Sequence, residues 1–168
     1  MKTDSAVKGH PASGARRAVV CVGAASVRLE VHGDELVRVD LLPLGRRHAA
    51  GGALWDLVLA QAAFQVREYL QGKRKRFNVR LRQPGTPFQQ EVWKALGRLP
   101  FGATCTYGEL AASAGSPRAS RAVGTALHRN RLPIFVPCHR VVAERGLGGF
   151  ACGLRWKRLL LDLEKAPA

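Results

Sequence analysis

Two helix starts of the same kind, twenty residues apart, fix the framework of the second half of the chain. In each of them a threonine that can cap a helix is followed three residues later by Gln or Glu, as in Thr86 with Gln89 and Thr106 with Glu109. Pro87 occupies the first helical position after Thr86, where no backbone N–H is needed. Because such boxes satisfy free backbone donors at a helix end, we predict two short helices that begin at these threonines.

A third helix start is predicted at Ser116-Pro117, opening the segment RASRAVGTALHRN. Only Gly115-Ser116 separates it from the preceding helix, YGELAASAG, and two short helices joined in this way have the dimensions of a helix-turn-helix. A helical pair of this size is also common as scaffolding. The arginines and small residues of the second helix suit close approach to phosphates, and they equally suit a solvated face on a helix packed by its alanines.

The first half of the chain has the period of a sheet rather than a helix. From Ala18 to Leu42 apolar and polar side chains alternate, with Val27, Leu29 and Val31 on one face, which predicts a small antiparallel meander. The later segment ALWDLVLAQAAFQVREYLQG has apolar residues at helical spacing and ends at Gly72, a stop signal. One long helix should therefore cover the sheet.

Composition divides the chain into three parts. Residues 1–17, rich in Gly, Ala, Ser and charge, are predicted to be a disordered basic tail. The basic run KRKR and the extended FNVRLRQPG look like a connection, so we place a domain boundary near Pro84. The predicted class is α+β: an N-terminal α/β domain at residues 18–83, then a mostly helical C-terminal domain at residues 84–168.

The charge and the cysteines of the chain indicate which class of partner and which cellular compartment to expect. The 27 Lys and Arg against 12 Asp and Glu leave a formal charge of +15, which favours nucleic acid as partner, although a solvated basic surface would show the same excess. The four cysteines have no C-x-x-C spacing, which favours a reducing compartment. No apolar stretch reaches the ~18 residues of a membrane helix. We therefore expect a cytoplasmic protein that binds no membrane.

The segment IFVPCHRVV is the hardest part of the chain to explain by packing alone. It belongs to the longer stretch NRLPIFVPCHRVV, which has the pattern of a buried strand, and it brings Cys138 directly before His139 and Arg140. A free cysteine is usually a small buried apolar side chain, but nearby positive charge and a histidine base favour the reactive thiolate. A cysteine hydrolase would need a bend or a bridging water between Cys138 and His139, because neighbours in an extended segment point to opposite sides. Adjacent Cys and His side chains are also poorly placed to chelate one metal ion.

The motifs of the second half together resemble one protein family. F-Q-x-x-V-W, T-Y-G-E-L-A, R-A-V-G, an Asn eight residues before the cysteine, P-C-H-R-V and a final K-x-x-L-L-x-x-E occur in that order. The C-terminal domain is similar to the O6-alkylguanine-DNA alkyltransferases, also called methylated-DNA–protein-cysteine methyltransferases. The N-terminal half agrees with that family only in plan, a ribonuclease H-like arrangement of a small sheet with a helix.

This resemblance implies direct, stoichiometric and irreversible transfer of an alkyl group from O6-alkylguanine in double-stranded DNA to Cys138, by a monomer without cofactor or metal. It implies that His139 withdraws the thiol proton through a water, that Glu164 holds His139, and that Asn130 braces the segment. Displacement at a saturated carbon needs a soft anionic nucleophile, and a thiolate is the best that side chains offer. With these roles assigned, Arg140 is expected to be a structural or phosphate-facing cation.

The resemblance also implies how the DNA is held. Tyr107 is expected to hydrogen-bond the leaving base and crowd its phosphate, and Arg121 to fill the space of a nucleotide flipped out through the minor groove. Further residues are assigned to DNA or to the substrate pocket by their positions in the family motifs. They are Arg118, Ala119, Ser120, Ala122 and Gly124 for DNA, and Val141, Phe150 and Ala151 for the pocket.

The loop after Cys138 departs from the family pattern. The family usually has Gly-Tyr followed by Ser, Ala or Gly, whereas this chain has Gly149-Phe150-Ala151-Cys152 after a shorter turn, which bears on the breadth of the pocket.

Two other functions compete with transfer. One is a lesion-binding module without chemistry, whose members lack the acceptor cysteine. The other is a helix-turn-helix regulator, for whose additional modules 168 residues leave no room.

Overall fold

The first half of the chain folds as a small antiparallel sheet with one helix across it. A computed structural model describes residues 14–53 and 56–165. The strands are β1 (Arg16–Val22), β2 (Ala25–His32), β3 (Glu35–Leu41) and β4 (Gly51–Gly52), in the order β3-β2-β1-β4. The predicted meander is confirmed, because β1, β2 and β3 pair in antiparallel register and the predicted inner face of β2 is fully buried.

The sheet extends beyond the predicted meander at two points. β1 begins at Arg16, inside the segment predicted to be a tail, because its first two residues pair with β2. β4, which the alternation does not predict, pairs with β1, and Gly52 is required there because a Cβ would overlap the carbonyl oxygen of Arg17. Residues 1–13 of the predicted tail lie outside the described residues.

Helix α1 (Leu57–Leu70) covers the sheet, as predicted. Its first turn is capped by Asp56, whose carboxylate accepts a hydrogen bond from the Leu59 N–H at 2.8 Å. Gly72, two residues after its end, stops the helix. The φ of +74° at Gly72 allows the N–H groups that follow the helix to bond back to its last carbonyls. Leu54 and Trp55, which the sequence pattern included in this helix, lie outside the described residues.

The second half is mostly helical, and both predicted capping boxes form. Each threonine accepts a hydrogen bond from the N–H three residues later, and the Gln89 and Glu109 side chains accept from the threonines' own N–H groups. The elements are α2 (Pro87–Gly97), β5 (Cys105–Thr106), α3 (Tyr107–Ser113), α4 (Ser120–His128), β6 (Val141–Val142) and α5 (Leu154–Lys165), with β5 and β6 paired in parallel.

The third helix start was predicted too early. α4 begins at Ser120 rather than at Ser116-Pro117, and the residues between form a turn in which the Ala119 N–H bonds to the Ser116 carbonyl at 2.9 Å. Ala119 takes the cap position and has no side chain with which to accept a hydrogen bond from the first turn. The start of α4 is thus set by the packing of this helix on α2 and α3 and not by a local capping signal.

The prediction of a buried strand through IFVPCHRVV was also wrong. The segment is buried, but it consists of turns followed by a short 3-10 helix at Cys138–Arg140, and only the two residues of β6 are extended. Pro133 and Pro137 lack the N–H groups that a central strand needs, and Ile134 has a φ of +76°, a conformation that β-branched residues rarely adopt. This irregular backbone carries Cys138.

The two halves share one continuous apolar core, and hydrogen bonds also connect them. The Trp156 indole of α5 donates to the Leu42 carbonyl, just after β3, at 2.7 Å. The Val39 N–H of β3 donates to the carbonyl of Arg131 at 2.9 Å, and Tyr69 of α1 reaches Glu164 of α5. In the described part of the chain no helix combines the length and the apolar character needed to cross a membrane.

Candidate active site

Cys138 lies in the wall of a pocket of about 400 Å³. Cys138 as a whole residue is 7% exposed and is the first residue of the 3-10 helix, where the chain leaves the buried segment. The lining residues come from α3, α4 and the loop before α5: Tyr107, Gly124, Leu127, His128, Gly149, Phe150 and Ala151. A group that enters this pocket therefore meets the sulfur.

The side chain of Asn130 positions Cys138. Its Nδ2 donates hydrogen bonds to Sγ of Cys138 at 3.0 Å and to the Val136 carbonyl at 2.8 Å. Its Oδ1 accepts from the Leu132 N–H at 2.9 Å. One amide thus joins the beginning and the end of a buried segment whose backbone has few partners of its own, which gives the predicted bracing role a geometric basis.

The resting thiol of Cys138 is neutral. Burial raises its pKa to about 12, although the hydrogen bond from Asn130 acts in the opposite direction. The ammonium of Lys157 also favours the thiolate, since it is buried nearby with its Nζ on the carbonyls of Val141 and Gly149 at 2.6 and 2.9 Å. These influences do not offset burial, so the thiol needs a proton acceptor before it can attack.

The next residue, His139, has the chemistry of a proton acceptor. Its ring is fully buried, with Nε2 2.8 Å from Oε1 of Glu164. Burial lowers the pKa of His139 against the opposing influence of Glu164, so the ring is neutral near pH 7. Nε2 donates to the carboxylate, and this tautomer leaves Nδ1 with a free lone pair. Nδ1 is buried and has no hydrogen-bond partner among the described residues.

The Glu164 carboxylate accepts hydrogen bonds from four residues, one of which is His139. Its carboxylate receives Nε2 of His139, two N–H groups of Arg140 at 2.8 and 2.9 Å, the Tyr69 hydroxyl at 2.7 Å and the Gly102 N–H at 3.0 Å. Burial alone would raise the pKa of Glu164, but the hydrogen bonds from His139 and Arg140 outweigh it and hold this pKa well below its ordinary value. Glu164 is therefore ionised.

Arg140 is a structural cation. Its side chain is 7% exposed and forms a two-pronged ion pair with Glu164, while its Nη1 donates to the Leu99 carbonyl at 2.8 Å. The guanidinium carbon also lies 5.9 Å from the centre of the Phe101 ring. Of the two expected roles, the structural one fits, and the buried side chain is not available to a phosphate.

The residues predicted to contact DNA lie at the start of α3, on α4 and on the turn before α4, and two of them, Tyr107 and Gly124, line the pocket. Arg118, Arg121 and Ala122 are exposed there, whereas Ala119, Ser120 and Gly124 are half-buried. The Tyr107 ring packs over Gly148, where a Cβ would come within 3.3 Å of the Tyr107 hydroxyl. Two of the three predicted pocket residues, Phe150 and Ala151, line the pocket, but Val141 lies beneath it and is fully buried.

Comparisons with known proteins point to one family. A family model described as "6-O-methylguanine DNA methyltransferase, DNA binding domain" matches residues 87–166. The constitutive methylated-DNA–protein-cysteine methyltransferase of Bacillus subtilis is 51% identical over 109 residues, which are 64% of this chain and 66% of that protein. The crystal structure of the Mycobacterium tuberculosis O6-methylguanine methyltransferase matches with a TM-score of 0.78 at 36% identity, over 92% of this chain and 96% of that one.

The chain belongs to the O6-methylguanine-DNA methyltransferase family. The resemblance drawn from the motifs is thereby confirmed, and so is the α+β class. A second structure of the Mycobacterium tuberculosis protein, in complex with DNA, matches with a TM-score of 0.75 at 38% identity, over 88% of this chain and 91% of that one. Within residues 14–53 and 56–165, no three His, Cys, Asp or Glu side chains lie together as a metal-binding group.

Two residues of this methyltransferase site were not predicted from the sequence. Lys157 lies in the K-x-x-L-L-x-x-E motif, so the motif could have pointed to it, but only the fold brings its ammonium near Cys138. Tyr69 has no local signal, because its partner Glu164 is 95 residues away along the chain. Its hydroxyl also lies 3.5 Å from Nε2 of His139, so the N-terminal half contributes directly to the network that holds the base.

Replacing Tyr69 with Phe is expected to raise the pKa of His139. Glu164 would lose one hydrogen bond and hold a protonated His139 more strongly, so the acid limb of the pH profile for thiol alkylation should move to higher pH. Stability should fall by about 1.5–3 kcal/mol, as for loss of a buried bond to a charged group. Val66→Ala, a buried change on the same helix that does not touch Glu164, should destabilise without moving the limb. If the acid limb of the pH profile in Tyr69→Phe stays at the wild-type pH, Tyr69 has only a packing role.

Proposed function

We propose that this chain repairs DNA by direct, stoichiometric and irreversible transfer of an alkyl group, such as methyl, from O6-alkylguanine to Cys138. The observation that carries the proposal is the buried thiol in the wall of a pocket. The next residue in the chain is a neutral histidine that is hydrogen-bonded to the Glu164 carboxylate. Names of relatives that describe methylated DNA and a protein cysteine support the same chemistry. The protein is the acceptor and is consumed, which makes it a single-turnover transferase without cofactor.

The proton of the thiol has one suitable acceptor in this scheme. Nδ1 of His139 takes it, through a water, and Glu164 stabilises the imidazolium that forms. The thiolate then attacks the alkyl carbon, a sulfur–carbon bond forms, and the carbon–oxygen bond breaks with its electron pair left on guanine. The guanine anion then takes a proton from water and is restored, and the imidazolium of His139 releases to solvent the proton that it accepted from the thiol. Because burial raises the pKa of Cys138 to about 12, the thiolate exists only while this transfer proceeds.

DNA reaches the pocket in this proposal through α3 and α4, acting as a helix-turn-helix in the minor groove. A base stacked in a duplex cannot reach the thiol of Cys138, a residue that is only 7% exposed, so the damaged nucleotide is flipped out. Tyr107 hydrogen-bonds the leaving base, and Arg121 fills the space left in the duplex. The first half of the chain, with a ribonuclease H-like plan, supports the site from behind through Tyr69.

Mass spectrometry of the intact protein tests this function. After incubation with duplex DNA that contains O6-methylguanine, the protein should gain one methyl group per chain, and peptide mapping should locate it on Cys138. The partner DNA should then contain unmodified guanine. A protein whose mass stays unchanged, or a methyl group on another residue, would refute the proposal.

Replacing Arg121 with Ala should separate flipping from chemistry. The side chain is exposed on α4, so stability should change by no more than about 0.5 kcal/mol. Transfer from duplex DNA should slow by at least about tenfold, because flipping loses its replacement group. Transfer from the free base O6-methylguanine should be unaffected, and Arg67→Ala, an exposed change on α1, should alter neither rate. Equal loss with both substrates would contradict the role of Arg121.

A further inference from the structure

A second groove, of about 1010 Å³, lies between the two halves of the chain. It is bordered by β3, the start of α2, the residues from the end of α4 to Pro133, and the loop before α5. Trp93, Thr125 and Cys152 are among the residues that line it. Among the residues that line this groove, the family resemblance gives a functional role only to Asn130 and Ala151, which also border the Cys138 segment or pocket.

The groove is basic. Arg38, His128, Arg129 and Arg131 border it, and Asp40 is the one carboxylate among the described residues on its rim. Asp40 is already neutralised, since it accepts a hydrogen bond from Arg38 at 2.8 Å and lies 3.9 Å from Arg28. Arg129 and Arg131 are exposed and form no ion pair with any residue that the structure describes. Two free positive charges therefore face the groove.

The groove and the Cys138 pocket adjoin each other. His128 and Ala151 line both, so a ligand in the pocket has the groove on the far side of the Ala151 loop. A nucleotide in the pocket is attached to a phosphodiester chain on each side, and that chain carries one negative charge per residue. Polar groups that accept or donate hydrogen bonds, among them Thr86, Gln89 and Thr125, accompany the arginines.

We propose that this groove binds the phosphodiester backbone of the damaged strand beside the flipped nucleotide, with Arg129 and Arg131 as its phosphate contacts. The proposal rests on the proposed function, because it takes the pocket to hold a nucleotide. It extends the DNA surface from α4 onto the edge of the N-terminal sheet, where Arg38 borders the groove. The contacts recognise phosphate and not sequence, which suits a protein that must act on a lesion in any context.

Equilibrium binding to a duplex with one O6-methylguanine tests the proposal, in a Cys138→Ala background in which no methyl group moves. The double variant Arg129→Gln with Arg131→Gln should reduce the slope of log affinity against log salt by about 2, and lower affinity roughly 50-fold at about 0.1 M salt. Arg67→Gln removes one charge from an exposed position on α1 and should change the slope little. If the double variant shows the same slope of log affinity against log salt as Arg67→Gln, the proposal is wrong.

Transfer from the free base separates this groove from the chemistry. With Cys138 intact, the double variant should methylate itself from free O6-methylguanine at the wild-type rate, because that substrate has no phosphate. A matching loss with the free base would mean a damaged pocket and would overturn the groove assignment. If the wild-type protein transfers nothing from either substrate, the proposed function fails, while the binding measurement still decides whether the groove holds DNA.

The thiol of Cys152 reports occupancy of the groove directly. In the Cys138→Ala background, saturating lesion DNA should slow the reaction of Cys152 with iodoacetamide at least about fivefold, as expected for a thiol covered by a bound strand. The partly buried Cys21 of β1 does not border the groove and is the internal control. Equal reactivity of Cys152 with and without DNA would overturn the proposal.

Discussion

Replacing Cys138 with Ala is expected to abolish methyl transfer, with a fall of more than about 1000-fold in the rate, as for loss of a nucleophile. Cys138 is the thiol that opens on the pocket, and Asn130 holds its sulfur at 3.0 Å. Radiolabelled O6-methylguanine DNA measures the transfer as label bound to protein. Stability should fall only by about 1 kcal/mol, since a small buried group is removed.

The control for this prediction is the other thiol near the pocket. Cys152→Ala should accept one methyl group per chain at an unchanged rate, because burial raises the pKa of Cys152 to about 11 and it borders the neighbouring groove instead. Full transfer by Cys138→Ala would refute Cys138 as acceptor. Tight binding of wild-type protein to lesion DNA, with no label transferred at any pH, would favour a lesion-binding module.

Replacing Glu164 with Gln is expected to have the largest effect on stability. The change leaves Arg140 buried without a counter-charge, and breaking a buried pair in this way costs about 3–5 kcal/mol. Transfer should slow as well, because His139 loses the carboxylate that stabilises its protonated form. Chemical denaturation gives the stability, and single-turnover kinetics gives the rate at a temperature where the variant is folded.

Two variants sharpen the Glu164 prediction. Adding Arg140→Gln to Glu164→Gln should recover part of the lost stability, because the unpaired cation is then removed. Glu91→Gln disrupts an exposed pair with Lys94 and should have little effect. A single Glu164→Gln variant as stable as the wild type would show that the ion pair contributes nothing.

The same carboxylate should make the fold sensitive to acid. The pKa of Glu164 lies below its ordinary value of 4.5 in the folded state, so its contribution to stability is complete above about pH 4.5 and is lost as pH falls through the lower, folded-state value. Between these values the wild type should lose stability faster than Glu164→Gln does. Parallel curves for the two proteins would contradict this part of the prediction.

Local sequence patterns predicted the elements whose cause is local. Thr86 and Thr106 fix helix starts through hydrogen bonds that span three residues, and alternation around Leu29 fixes a strand face that is fully buried. The same reasoning failed at Ser116-Pro117 and in the segment before Cys138. In the first case packing sets the start of α4, and in the second prolines and a positive φ at Ile134 override an apolar pattern typical of a strand.

The sequence by itself determined the family and the order of helices, and its motifs predicted Cys138, His139 and Glu164 as site residues, because these follow from adjacent residues or short motifs. Only the tertiary structure decided that Arg140 and Tyr69 share the Glu164 carboxylate with His139. Glu164 meets His139, Arg140 and Tyr69 over separations of 25, 24 and 95 residues, distances along the chain that no local period encodes. Packing of α5 and α1 around the 3-10 helix closes those distances, and burial then sets the pKa values that make Cys138 a neutral thiol beside a neutral base.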